Sequence, residues 1–226
     1  MRDSYLRFFS QGYITKDQFF EFGLKETIYS PYEKAQKEWS DLKENILNNQ
    51  PVFIRGFGRD ANGTHLFQEF YKVFLGNENI KKDPTNNDEP SKLLRNLTGY
   101  SKSESNGFKQ LRNYQVSHIF GRTKNVYAFT APWNIVYMPK ILDPLTGHEA
   151  KGEMVDEFTH LFQKQAYKKF GRLIDDFNDI ISNASFKERL INSLNEISSD
   201  SSFESKDVDK LLKAVNKEFE PIDIDF

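Results

Sequence analysis

Two histidines and an asparagine in the middle of the chain have the side-chain types that acid–base and metal chemistry need. His118, Asn134 and His148 follow one another in this order. A neutral imidazole accepts a proton near neutral pH, and its nitrogens are also common metal ligands. A base that takes a proton from water, beside a metal cation that stabilises charge on a leaving oxygen, is suited to hydrolysis of phosphodiesters. A lone histidine at a strand end is also typical of a satisfied core residue, so both interpretations of His118 are open.

The segment around His118 carries basic residues without any acidic one. No Asp or Glu occurs between Glu104 and Asp143. The stretch contains the basic residues Lys109, Arg112, Arg122, Lys124 and Lys140. Arginine and lysine bind phosphate oxygens through charge-assisted hydrogen bonds. We therefore predict nucleic-acid contacts for the first four, although a solvated protein face would have a similar composition.

Two β-prone runs frame the loop that separates His118 from Asn134. Strands are predicted for 114–120 and 134–138, with a long loop between them and a candidate helix start after them. The pattern has His near the end of the first strand, Asn opening the second, and His148 on the helix that follows. It resembles the HNH, or ββα-metal, nuclease superfamily, and the resemblance covers only this part of the chain.

The resemblance implies a role for each of these residues. His118 would be the general base, and Asn134 would hold the loop so that the catalytic histidine points correctly. A divalent cation, Mg²⁺ or Mn²⁺, would be the cofactor, with His148 as a ligand. Arg122 and Lys124 would grip the phosphates that flank the cut in double-stranded DNA.

The metal-ligand positions depart from the family pattern. Many members have Asp directly before the catalytic His, where it ligates the metal, whereas this chain has Ser117. The interval from Asn134 to His148 is also longer than in the compact form of the motif, and Asp143 lies inside it as a further candidate ligand. The predicted metal set is therefore His148, Ser117 and Asp143.

A second place for a metal ligand lies further along the chain. Asp156 and His160 are four residues apart on a predicted helix, so they share one helix face and could bind a metal together. An exposed or half-buried helical residue is the ordinary interpretation of His160.

Composition excludes several classes of protein. The chain has no cysteine, so disulfides, thiolate zinc sites and a cysteine nucleophile are excluded. The net charge of −2 gives no overall attraction for nucleic acid. No apolar run reaches the length of a signal peptide or a membrane span, which predicts a cytoplasmic protein without membrane association.

The glycine loop Arg55 to Asp60 lacks the third glycine of the dinucleotide-binding fingerprint, so we expect at most a contact with the DNA backbone there.

Helical patterns flank the predicted module on both sides. Apolar residues recur at three- and four-residue spacing after Gly152, which predicts one long helix or two consecutive helices to about Asn183. Further helices are predicted at 31–49, 65–75, 91–97, 186–197 and 207–219, with a strand at 52–54 and a surface loop at 76–90.

These patterns predict an α+β protein, mainly helical, with an embedded ββα-metal module. We expect a largely helical recognition or scaffold region at 1–107, the nuclease module at 108–152 and a helical region at 153–226. The predicted function is a metal-dependent DNA endonuclease, site-specific as in restriction systems, and two-fold symmetric sites would favour a homodimer. The alternative is a non-catalytic DNA- or protein-binding protein with a degenerate module, which Ser117 in place of Asp favours.

Overall fold

Helices make up most of the structure. The computed structural model describes residues 3–56, 64–146 and 150–224, and within these ranges there are eight α-helices, six short strands and one 3₁₀ helix. The helices are α1 (Ser4–Ser10), α2 (Lys16–Glu26), α3 (Tyr32–Leu47), α4 (Thr64–Leu75), α5 (Asp88–Thr98), α6 (Glu153–Ser182), α7 (Ala184–Ser199) and α8 (Ser205–Glu218). The predicted class, α+β and mainly helical, is confirmed.

The strands form three separate pairs. They are β1 (Val52–Ile54), β2 (Ile80–Lys82), β3 (Tyr100–Ser101), β4 (Lys109–Gln110), β5 (Tyr114–His118) and β6 (Ile135–Pro139). The pairs β1–β2 and β3–β4 are parallel, and β5–β6 is antiparallel. On its other edge β6 meets the chain after α2, where Ile28 and Tyr137 exchange two backbone hydrogen bonds.

The largest hydrophobic core brings distant parts of the chain together. Helices α3, α4, α6, α7 and α8 supply most of it, and the loop between β5 and β6 adds Val126, Ala128, Ala131 and Trp133. The Trp133 ring packs edge-on against Trp39 of α3, with ring centroids 5.7 Å apart. A second core lies between α2, the first half of α6 and one face of β6. Residues from all three predicted regions thus share buried packing.

The predicted helices from α3 onward are confirmed except the one directly after β6, and the surface loop predicted at 76–90 is wrong in part. Ile80 is buried, and its strand pairs with β1. Asp83 is also buried, and its carboxylate accepts hydrogen bonds from the backbone of Thr85, Asp88 and Glu89 at 2.8–3.0 Å. This polar residue therefore organises the start of α5, which begins at Asp88.

Gly23 marks a close approach between α2 and the 3₁₀ helix Lys140–Thr146. A Cβ added at Gly23 would lie 2.7 Å from the Leu142 side chain and 3.2 Å from the Phe158 ring. Both neighbours are fully buried, so neither can move aside freely. Close approach of the two elements therefore requires glycine here.

Replacing Gly23 by alanine is expected to destabilise the protein. Overpacking of a dense core costs about 1–3 kcal/mol, against a gain in helix propensity of about 1 kcal/mol. Urea unfolding of Gly23→Ala measures the net loss. Gly171→Ala is a matched control in α6, because the atoms nearest its added Cβ belong to the half-buried ring of Tyr167, the first at 3.2 Å. A Gly23→Ala protein as stable as the Gly171→Ala protein would contradict the packing described.

Candidate functional site at the base of the 119–134 loop

The antiparallel pair β5–β6 brings His118 and Asn134 together. His118 is the last residue of β5 and pairs with Ile135, the first residue of β6. The next backbone hydrogen bond joins Ile119 N–H to the Asn134 carbonyl at 2.8 Å. Both residues therefore lie at the point where the loop 119–134 leaves and rejoins the strands.

Asn134 holds this loop closed through its side chain. The residue is fully buried, and its Oδ1 accepts a hydrogen bond from Phe120 N–H at 2.9 Å. Its Nδ2 donates to the carbonyls of Gly121 and Ala128, each at 2.9 Å. An asparagine amide has one oxygen that accepts and one nitrogen that donates two hydrogen bonds. In this loop the oxygen accepts one bond and the nitrogen donates both of its bonds.

The His118 ring is fixed by the middle of the same loop. Its Nε2 lies 2.9 Å from the Phe129 carbonyl, and the imidazole stacks on the Phe129 ring with centroids 5.3 Å apart. A carbonyl oxygen only accepts, so Nε2 carries the proton in this bond, and in a neutral imidazole Nδ1 then has the acceptor lone pair. His118 is 7% exposed.

Helices α4 and α8 secure the rest of the loop. The Tyr71 hydroxyl of α4 donates to the Lys124 carbonyl at 2.7 Å and accepts from Val126 N–H at 3.3 Å. At the end of α8, the Glu218 carboxylate accepts from Lys124 N–H at 3.0 Å, and the Glu218 carbonyl accepts from the Asn125 side chain at 2.8 Å. The loop is therefore a rigid part of the core.

The Glu218 carboxylate gives the loop a pH dependence that can be measured. Burial raises the pKa of Glu218 above its usual value, while the backbone N–H of Lys124 acts in the opposite direction. The folded protein therefore binds this proton more tightly than the unfolded chain, so this group's contribution to stability falls as pH rises from the ordinary pKa to the folded one.

Glu218→Gln is expected to remove this pH dependence while its amide oxygen can still accept from Lys124 N–H. The variant should gain stability relative to the wild type as pH rises from about 4 toward neutrality, and the difference should level off above the folded pKa. Urea unfolding at a series of pH values measures it. A difference that stays constant with pH would show that the carboxylate does not titrate abnormally.

Of the four basic residues predicted to contact nucleic acid, two pack against other parts of the protein and two are exposed. Arg122 donates to the Lys217 carbonyl and lies 3.7 Å from the Glu220 carboxylate, and burial lowers its pKa. Lys124 is buried, with its Nζ 5.6 Å from the Phe67 ring centroid. In contrast, Lys109 and Arg112 are exposed.

The exposed basic residues lie away from His118. Arg112 precedes Tyr114, which pairs with Pro139, so it lies at the opposite end of the strand pair. Exposed Lys140 adds positive charge there, since its N–H donates to the Asn113 carbonyl. Four residues of strand separate the two ends, which is about 13 Å.

The candidate metal ligands do not form one group in the described part of the structure. Successive strand residues point to opposite faces, so Ser117 points away from His118, and its buried hydroxyl has no hydrogen-bond partner within the described part of the chain. Asp143 lies half-buried in the 3₁₀ helix, and His148 lies outside the described residues. Asp156 and His160 are both exposed on α6. Among the residues described, no three His, Asp or Glu side chains are grouped to hold a metal ion.

The predicted helix directly after β6 needs correction. A 3₁₀ helix with Pro144 inside it follows β6, and α6 begins only at Glu153. Proline lacks the N–H that a continuing α-helix would use, which accounts for the short tight form.

Most of the glycine loop Arg55 to Asp60 lies outside the described residues, but Arg55 N–H donates to the Thr123 carbonyl at 2.9 Å. In the ranges described, no helix has both the length and the apolar character needed to cross a lipid bilayer.

The fold and loop define an α+β protein with a histidine and an asparagine at the base of a closed loop. A family model described as "Uncharacterised protein PM1201" matches residues 30–224, and the chain belongs to this family. It is 43% identical over 224 residues to a protein of Pasteurella multocida (strain Pm70) described as "Uncharacterized protein PM1201", and the match covers 98% of each chain. No solved structure matches the chain. The matched segment includes His118, Asn134 and the whole 119–134 loop.

Proposed function

We propose that the protein is a divalent-metal-dependent DNA endonuclease in which His118 is the general base. The observation that carries the proposal is the fixed imidazole at the base of the loop. The bond to the Phe129 carbonyl orients the ring, and the three bonds of Asn134 hold the loop that supplies this carbonyl. A base whose tautomer and direction are set in advance does not have to turn its ring to accept a proton.

The chemistry assigned to His118 is the removal of a proton from water. The resulting hydroxide attacks phosphorus, and the bond from phosphorus to the leaving oxygen breaks. A bound Mg²⁺ or Mn²⁺ would supply positive charge for the leaving oxygen. His148 and Asp143 are the ligands in this proposal, and Ser117 is dropped because its hydroxyl lies on the other face of β5.

DNA would contact the protein over a wider surface than the loop. The exposed cations Lys109, Arg112 and Lys140 are suited to DNA phosphates. Arg112 and Lys140 lie beyond the far end of the strand pair, and that end is about 13 Å from His118, or roughly four nucleotide steps. Since His118 is only 7% exposed, the side chains over the imidazole must move when DNA binds. We further propose a cytoplasmic homodimer of the restriction type, with one active centre for each DNA strand.

Digestion of plasmid DNA with and without Mg²⁺ or Mn²⁺ tests this function. Discrete fragments that need the metal support a site-specific endonuclease. A smear supports a nuclease of low specificity. No cleavage under either metal would overturn the proposal.

A non-catalytic DNA-binding protein is the second candidate. It is favoured by the burial of His118, which keeps the proposed base from solvent, together with the exposed cations Lys109, Arg112 and Lys140. DNA binding that weakens with salt, without cleavage under either metal, would support this candidate.

A further inference from the structure

A cleft of about 750 Å³ lies where α2, the start of α3 and the middle of α6 meet. Its side chains include Lys25, Tyr29, Ser30, Tyr32, Lys168 and Lys169. None of the described residues that line it is acidic. The cleft lies away from His118, on the far side of β6, and we call it the α3 cleft.

The first turn of α3 opens into the α3 cleft without a cap. Pro31 is the N-cap residue, and no side chain accepts hydrogen bonds from the first backbone N–H groups. These groups carry the positive end of the dipole of a 16-residue helix, which favours an anion. Glu33 lies in this turn, but it is exposed and does not line the cleft.

Ser30 provides a second, independent sign of a ligand. The residue is 4% exposed, it lines the α3 cleft, and its hydroxyl has no hydrogen-bond partner within the described chain. A buried hydroxyl without a partner costs about 1–3 kcal/mol. A ligand oxygen placed here would recover that cost.

Three lysines give the α3 cleft a net positive charge. Lys25, Lys168 and Lys169 are exposed, and none forms an ion pair with a described residue. The Lys169 ammonium lies 5.2 Å from the centroid of the Tyr29 ring. Lys25 also lines a neighbouring cleft that contains Asp17, Glu21 and Glu157, so Lys168 and Lys169 carry most of the charge that makes the α3 cleft complementary to an anion.

We infer that the α3 cleft binds a phosphate group. The Ser30 hydroxyl and the first N–H groups of α3 donate to its oxygens, and Lys25, Lys168 and Lys169 balance its charge. The half-buried ring of Tyr32 lies beside the site and suits a base attached to the phosphate. The phosphate therefore belongs to a nucleotide, either free or within a DNA strand.

This inference does not rest on the chemistry of His118. The segment that carries Ser30 bridges to β6 through Ile28, and β6 separates it from β5. Two strand spacings amount to about 10 Å, so the α3 cleft and the 119–134 loop are different places. Losses of binding in variants of the cleft, compared with a control that leaves the cleft intact, therefore test the cleft apart from that loop.

The inference is tested by binding experiments without metal. Calorimetric titration uses inorganic phosphate and deoxyadenosine monophosphate, and anisotropy titration uses a labelled single-stranded oligodeoxynucleotide. The variants are Ser30→Ala and the triple change Lys25→Ala, Lys168→Ala and Lys169→Ala. The matched control is Lys81→Ala, Lys187→Ala and Lys213→Ala, which removes the same charge from exposed sites elsewhere.

We expect the cleft triple variant to lose at least about tenfold in affinity, Ser30→Ala to lose roughly threefold to tenfold, and the control to stay near the wild type. Binding of the monophosphate that the cleft variants weaken assigns the cleft to a free nucleotide, and the same result with the oligonucleotide alone assigns it to DNA. Binding of inorganic phosphate that the cleft variants weaken supports the phosphate site itself. Failure of all three probes to bind the wild type, or equal losses in the two triple variants, would overturn the inference.

Discussion

Replacing Asn134 by alanine is expected to lower the free energy of unfolding by at least about 2 kcal/mol. The change leaves two partly buried backbone groups without the partner that Asn134 gives them, namely the Phe120 N–H and the Gly121 carbonyl. The Ala128 carbonyl loses one hydrogen bond but still accepts from Ala131 N–H at 3.3 Å. Each unpaired buried group costs about 1–3 kcal/mol. Urea unfolding with linear extrapolation measures the loss.

Two further variants separate this hydrogen-bonding role from a general effect of losing an amide. Asn134→Asp keeps an acceptor for Phe120 N–H but places negative charge against two carbonyl oxygens, so it should be as damaging as alanine. Asn216→Ala removes an exposed amide from α8 and should change stability by less than about 0.5 kcal/mol. An Asn134→Ala protein within about 1 kcal/mol of the wild type would mean that the loop does not depend on this side chain.

Local sequence patterns were sufficient for most of the helices and for the strand pair at the site. The β-prone residues of 114–118 and 135–139 predict the two strands. The three- and four-residue spacing along α6 follows the face of that helix that is buried. Because strands consecutive in sequence often pair with each other, the proximity of His118 and Asn134 also followed from their positions at facing strand ends.

The contacts that complete the site could not be predicted in the same way. Glu218 meets the backbone of Lys124 across more than ninety residues of sequence, and on α8 it has no feature that distinguishes it from an exposed helical glutamate. Arg122 and Lys124 have the composition of phosphate contacts, yet tertiary packing directs them to Lys217 and Phe67. Sequence gives the charge of a side chain but not the neighbour that tertiary structure provides.

Short elements were the other source of error. The three-residue strand Ile80–Lys82 lies in a polar segment, and it forms because Ile80 is buried beside β1 and Asp83 caps the turn that follows. A strand of this length has too few residues for an alternating pattern. The α3 cleft was missed for a related reason, since its lysines come from α2 and α6 and only folding places them beside Ser30.

The second large effect is expected at the proposed base. His118→Ala removes the imidazole while leaving Lys109, Arg112 and Lys140 in place, so DNA cleavage should fall at least about a hundredfold while DNA binding is retained. Because the change also removes a ring that stacks on Phe129, its unfolding free energy must be measured beside its activity.

His160→Ala is the matched control for this substitution. It also removes a histidine, but from an exposed position on α6, and it is expected to leave both cleavage and stability near the wild-type values. A loss of cleavage confined to His160→Ala would move the proposed chemistry from the 119–134 loop to α6.

The most direct test is the single-turnover rate of plasmid cleavage by the wild type and His118→Ala, measured in Mn²⁺ and in Mg²⁺ under conditions where both proteins are folded and bound to DNA. If His118 is the general base, the wild type cuts with at least one of the metals and the variant is slower by at least about a hundredfold. A variant that cuts at nearly the wild-type rate would show that His118 is a structural residue and that the proposed base lies elsewhere.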